Sequence, residues 1–145
     1  MIYIASDHAG FQLKKSIITL LSSETLKFED CGCDSETSCH YPEFGEKVAR
    51  LCVKNKVQGI LICGTGIGMG IAANKVSGAR AAMVNDVTAA RLSRAHNNAN
   101  IVCLGARLVG IEVALDIIRT FLSTAFEGGR HQLRVDLLEK IEAKR

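Results

Sequence analysis

The residues best suited to chemistry are Cys63 and the glycine-rich turn that follows it. The apolar run Gly59-Ile60-Leu61-Ile62 ends in Cys63-Gly64-Thr65-Gly66-Ile67-Gly68-Met69-Gly70, and helix-compatible residues Ile71-Ala72-Ala73-Asn74-Lys75 come next. That order reads as strand, tight loop, helix. It sets a thiol at the carboxyl end of a strand, beside the backbone amides that open a helix. Such amides hold anions and developing oxyanions, and their positive field stabilises a thiolate. A core thiol is the usual fate of a lone cysteine. The position of Cys63, before an amide-rich loop, points instead to a nucleophile or base. Thr65 serves equally as a helix cap or as a hydroxyl donor to substrate, and the two roles can coexist.

Other candidates surround this turn. Asp7-His8 follows the first apolar run. Asp7 is either a helix cap or a ligand for sugar hydroxyls, and His8 either a surface residue or a partner for a phosphate or hydroxyl. Arg130 and Arg134 lie four residues apart, on one helical face. Leu137 and Ile141 fall on nearly the same stripe, so both arginines are expected to lean toward the protein body. Paired guanidinium groups after a glycine turn suit a phosphate dianion; the plainer reading is a solvated basic helix end. His96-Asn97 closes a helix, where both types are common caps. Those two residues precede a strand, whereas Cys63 follows one. If both act on one substrate, the site is shared across a dimer.

Some chemistries are disfavoured by spacing. Gly64-x-Gly66-x-Gly68-x-Gly70 lacks the dinucleotide pattern, because Met69 stands at its sixth position, and no Gly-Lys-Ser/Thr follows for a P-loop. Cys31, Cys33, Cys39 and His40 offer four ligands within ten residues. Their spacing is not that of a paired C-x-x-C framework, so no metal is expected. Cys52 and Cys103 read as core residues of a helix and a strand.

The chain has 145 residues, 48% hydrophobic and 23% charged, which suits one domain with a full core spanning 1–145. A net charge of +3 is too mild to argue for nucleic acid. No basic leader and no membrane-length apolar run are visible. Six cysteines in such a chain read as reduced thiols in the cytoplasm.

The elements that position these groups alternate. Strands are expected at Met1–Ala5, Leu26–Asp30, Ile60–Cys63, Arg80–Val84 and Ile101–Leu104. Helices are expected at Gly10–Ser22, Pro42–Lys54, from the glycine loop to about Val76, at Val87–His96, along the stripe Ile111 to Leu122, and from about His131. This pattern implies an α/β fold: a three-layer α/β/α sandwich around a five-stranded parallel Rossmann-like sheet. Ligands bind such sheets at the carboxyl ends of the strands. Those ends carry Asp7-His8, Cys63–Gly66, Asn85-Asp86 and Gly105-Ala106-Arg107.

Taken together, the chain resembles the type B ribose-5-phosphate isomerases, in the family that includes galactose-6-phosphate isomerase subunits. The resemblance runs through S-D-H-A-G-F at Ser6–Phe11, I-C-G-T-G-I-G at Ile62–Gly68 and A-A-N-K at Ala72–Lys75. It continues in R-L-S-R-A-H-N at Arg91–Asn97, G-A-R at Gly105–Arg107 and E-G-G-R-H-Q-L-R at Glu127–Arg134. It implies interconversion of ribose 5-phosphate and ribulose 5-phosphate with no metal or other cofactor. It gives proton abstraction to Cys63 and ring opening to His96, with Thr65 beside them. Asp7, His8, Tyr41, Gly64, Thr65, Gly66, Ile67, Gly68, Asn97, Arg107, Arg130 and Arg134 match its substrate-binding positions. The expected partners are a phosphorylated aldose or ketose and a second copy of the chain, in a homodimer with composite sites or a tetramer. His40 stands where the family usually has an aspartate, and Cys31, Cys33 and Cys39 lie outside its pattern. An isomerase of a six-carbon sugar phosphate and a non-catalytic sugar-phosphate sensor are the alternatives.

Overall fold

Side chains that alternate along the strands divide the core into two layers, one on each face of a single sheet. The computed structural model describes residues 1–144. Its strands are β1 (Ile2–Ser6), β2 (Phe28–Asp30), β3 (Gln58–Cys63), β4 (Ala81–Met83) and β5 (Ile101–Gly105). All pair in parallel, in the order β2-β1-β3-β5-β4. The helices are α1 (Phe11–Ser23), α2 (Tyr41–Asn55), α3 (Ile67–Ala73), α4 (Val87–Asn97), α5 (Ile111–Ser123) and α6 (Arg130–Glu142).

Ile4, Ile60, Ile62, Val102 and Leu104 point to one face, where Leu13 and Ile17 of α1, Ala90 of α4 and Ile117 and Phe121 of α5 cover them. Tyr3, Ala5, Leu61, Cys63 and Cys103 point to the other, against Val48, Ala49 and Cys52 of α2 and Met69 of α3. Three layers result, as the alternation of elements implies. Cys52 and Cys103 are core residues.

The chain leaves β1 outward to β2, then returns across it to β3. The carboxyl ends of β1 and β3 therefore flank a topological switch point, where an open α/β sheet offers a crevice. Asp7, His8 and Cys63 stand there.

Two boundaries differ from expectation for a clear local reason. β2 begins at Phe28 rather than Leu26, because the Leu26 amide still bonds to Leu21 at the end of α1 and Thr25 takes φ 56°. α3 ends at Ala73 rather than Val76, because the Asn74 side chain bridges to both backbone groups of Ala81 at 2.9 Å. α6 rests on the body through His131 and Val135. Arg130, Arg134, Leu137 and Ile141 are exposed. The expectation that the two arginines lean inward is thus corrected: their stripe is an exposed face without a partner among the described residues.

Candidate active site

Backbone bonds tie three strand ends into one platform. The Asp7 amide donates to Ile62 at 3.1 Å, Ala106 to Cys63 at 2.8 Å and Arg107 to Gly64 at 3.0 Å. The loop between β3 and α3 rises from that platform, and its glycines make room for neighbours. Gly66 has φ 76°, and a Cβ there would lie 2.9 Å from the backbone of Leu104. A Cβ on Gly64 would meet the Arg107 guanidinium at 3.2 Å, and one on Gly68 would meet the Tyr41 ring at 2.7 Å. The glycines thus seat a cation and a phenol directly against the loop.

Cys63 is 5% exposed, and its sulfur accepts the Gly66 amide at 3.1 Å. Thr65 is exposed, and its Oγ1 accepts the Ile67 amide at 3.3 Å. That is the capping role, and it leaves the hydroxyl proton free to donate. The amides of Gly68 and Met69, in the first turn of α3, find no acceptor among the described residues. They remain available to an oxyanion.

Asp7 is buried and caps the 3₁₀ turn His8–Gly10, its Oδ1 accepting the Gly10 amide at 3.0 Å. The Nδ1 of His8 accepts the Cys39 amide at 3.3 Å. A neutral His8 ring therefore carries its proton on Nε2. Cys39 also places its sulfur 4.0 Å from that Nδ1, so one of the unplaced cysteines adjoins the site. Cys33 lies beside Cys39, its sulfur 3.1 Å from the Ser35 carbonyl, whereas the Cys31 sulfur lies 3.9 Å from the Glu29 carbonyl. Lys14, 1% exposed, fixes this segment by donating to both oxygens of Asp30 at 2.7 and 2.8 Å and to the Cys33 carbonyl at 2.6 Å.

The remaining predicted residues gather at the other edge of the sheet. His96 and Asn97 form the last turn of α4, which Asn98 ends at φ 46°. The Glu127 amide bonds to the Ala95 carbonyl at 3.0 Å, and Gly128 and Gly129, with φ 67° and 54°, swing the chain into α6. Arg130 opens that helix and Arg134 follows one turn later. A depression of about 230 Å³ is lined by His96, Asn97, His131, Arg134, Val135 and Leu138. The His96 and His131 rings stack at 4.2 Å with an interplanar angle of 7°. His131 is buried, and its Nε2 has no hydrogen-bond partner among the described residues. Burial pushes its imidazole below the ordinary histidine range, and the charges of His96 and Arg130 act in the same direction. Sequence reasoning missed His131. Its only signal was its place between two predicted arginines.

The strands are parallel, so the two groups lie a strand apart. β3 ends at Cys63, whereas β5 begins just after Asn97. Five residues of β5 span about 16 Å. Asp7, His8, Tyr41, Cys63, the loop Gly64–Gly68 and Arg107 form one half, and His96, Asn97, Arg130 and Arg134 the other. A wider depression of about 860 Å³ near Gln58, Arg80, Arg94 and Asn100 holds none of these residues. Arg94 is committed there to the carbonyls of Ala99 and Thr124.

Comparison with known proteins decides the family. The family model described as ribose/galactose isomerase matches residues 2–138. The chain belongs to the ribose/galactose isomerase family. Within that family, ribose-5-phosphate isomerase B of Escherichia coli strain K12 is 42% identical over 140 residues, or 96% of this chain and 94% of the relative. A ribose-5-P isomerase B of Listeria innocua is 44% identical over 145 residues, 99% of this chain and 97% of the relative. Ribose-5-phosphate isomerase B of Clostridium thermocellum superposes with a TM-score of 0.97 at 47% identity, covering 99% of this chain and 97% of that one. The Mycoplasma genitalium enzyme, solved with bound ribulose-5-phosphate, gives 0.95 at 43% identity, with coverages of 99% and 97%. The three-layer parallel fold of the ribose/galactose isomerases is therefore that of this chain.

Proposed function

We propose that the chain interconverts D-ribose 5-phosphate and D-ribulose 5-phosphate, with Cys63 as the base. The observation that carries this reading is the end-to-end match to an isomerase solved with ribulose-5-phosphate bound. Aldose–ketose isomerisation removes a proton from the carbon beside the carbonyl and moves the negative charge to oxygen. Cys63 takes that proton from C2 and returns it to C1. The Gly66 amide, which already contacts the sulfur, donates to it in the thiolate form that takes the proton. The free amides of Gly68 and Met69 and the Thr65 hydroxyl receive the enediolate oxygen. Positioned acid–base chemistry of this kind contributes about 10²–10⁴-fold. The step also moves a proton from O2 to O1, and we assign that relay to the exposed Thr65 hydroxyl, so the step needs no cofactor.

The furanose must open first. That step needs a donor at the ring oxygen and a base at the anomeric hydroxyl, and imidazole suits both near neutral pH. We assign it to His96, with Asn97 beside it, and the phosphate to Arg130 and Arg134. Asp7, His8, Tyr41 and Arg107 hold the sugar against the loop. Remote phosphate contacts then orient the reacting carbons.

Because Cys63 and His96 sit on opposite edges, the proposal requires a homodimer in which each chain completes the other's site. The exposed apolar residues Leu133, Leu137 and Ile141 on α6 support it, since they flank the arginines and would be wet in a monomer. The whole chain then acts as one isomerase domain. No helix among the described residues is long and apolar enough to cross a membrane. With six free thiols, that supports placement in the cytoplasm.

The test is conversion of ribose 5-phosphate in deuterated water, with allose 6-phosphate and galactose 6-phosphate in parallel. Ribulose 5-phosphate carrying solvent deuterium at C1 is expected. Turnover of only the six-carbon substrates, or of none, would overturn the reading.

A further inference from the structure

We propose that His96, Glu127 and His131 form a binding site for a divalent cation of borderline softness, such as Zn²⁺, and that its occupation silences the isomerase. One ligand atom from each of the three lies within 4.8 Å of the others. The Nε2 atoms of His96 and His131 stand 3.8 and 3.6 Å from the same Oε2 of Glu127. Two ligands on a tetrahedral zinc, with bonds of about 2.0–2.2 Å, are separated by about 3.3 Å. The two nitrogen–oxygen separations are thus within about half an ångström of the bonded value. The two rings are stacked with an interplanar angle of 7°, so the more exposed His96 must tilt out of the stack for both in-plane lone pairs to converge on one ion beside Glu127.

A second observation points to a ligand. The Nε2 of His131 is buried without a hydrogen-bond partner among the described residues, which is a costly state that a metal bond would relieve. Glu127 is more than half exposed and His96 about one third, so an ion has a way in. Two neutral imidazoles and one carboxylate are a common zinc donor set with an open fourth position. Arg130 and Arg134 oppose a cation here, and the Glu127 carboxylate offsets them. Binding ties up the lone pair that His96 needs for ring opening. The inhibitory half of the proposal therefore rests on the assigned role of His96, whereas the binding half does not.

The six cysteines could also take up metal, so the test must tell thiolate from imidazole ligation. Co²⁺ titrated into the metal-stripped protein should give ligand-field bands of a four-coordinate site with no thiolate charge-transfer band. Zn²⁺ should displace it at one ion per chain. Glu127→Gln should weaken Zn²⁺ at least about tenfold, as should His131→Asn, and each should relieve zinc inhibition in proportion. Because Glu127 is exposed, its variant will fold even if the His131 variant does not. A strong thiolate band, or unchanged affinity in Glu127→Gln, would overturn the site. Tight cobalt binding with full isomerase activity would overturn the silencing and contradict the role of His96, while leaving the site itself established.

Discussion

The sulfur of Cys63 lies 3.1 Å from the amide of Gly66, three residues ahead of it. The contact depends on the left-handed turn at Gly66, φ 76°, which folds the loop back over the strand end. A side chain there would enter the backbone of Leu104. The same turn that presents the thiol therefore also aims amides at the space above it. Cys63→Ala should lower kcat by at least about 10²-fold while substrate binding persists. Cys52→Ala, on the buried face of α2, should leave kcat within about twofold, since it touches no reacting group. Steady-state kinetics on both variants checks this. Near-normal turnover in Cys63→Ala would remove the thiol from the mechanism.

Arg134 is expected to act through the shape of its guanidinium as well as its charge. Arg134→Lys keeps the charge but loses the forked contact to phosphate. It should raise KM for ribose 5-phosphate by about tenfold, corresponding to one charge-assisted bond of about 1.5 kcal/mol. An unchanged KM would mean that α6 does not hold the phosphate.

Much of this site is legible along the chain. Asp7, Cys63 and Arg107 are found at strand ends because apolar runs stop abruptly at glycine or polar residues, and parallel topology gathers such ends. The α6 face is not legible in that way. Helical spacing shows that Arg130, Arg134, Leu137 and Ile141 share a side, but periodicity alone cannot distinguish a core face from an exposed one. Lys14 is hidden for a different reason. A lysine within an amphipathic helix reads as solvated, yet it is 1% exposed and bound to Asp30 and the Cys33 carbonyl. Those partners lie 16 and 19 residues away, beyond any local pattern. His131 escaped notice likewise, because its stacking on His96 joins two helices.

The buried thiols set an alkaline limit to stability. Burial pushes Cys52 from its ordinary value near 9 up to about 12, and Cys103 is raised as well. A folded-state pKa above the unfolded value means that the folded chain holds its proton more tightly. The associated stability is intact below pH 9 and is lost as pH rises toward 12. Each such thiol costs about 1.4 kcal/mol per pH unit in that window. Urea unfolding at pH 8 and pH 10 should therefore show a shallower alkaline decline for Cys52→Ala than for the parent. Equal declines would contradict the burial effect.

Complementation between two inactive variants tests the shared site most directly. Cys63→Ala and His96→Ala proteins are mixed in equal amounts under conditions of demonstrated subunit exchange, and isomerase activity is followed. Each mixed dimer would hold one site with both defects and one with neither. Random pairing under two-fold symmetry makes half of the dimers mixed, so about a quarter of wild-type sites should return. Recovery near that level is the predicted result. No recovery would show that Cys63 and His96 do not meet across a dimer, and would contradict the account.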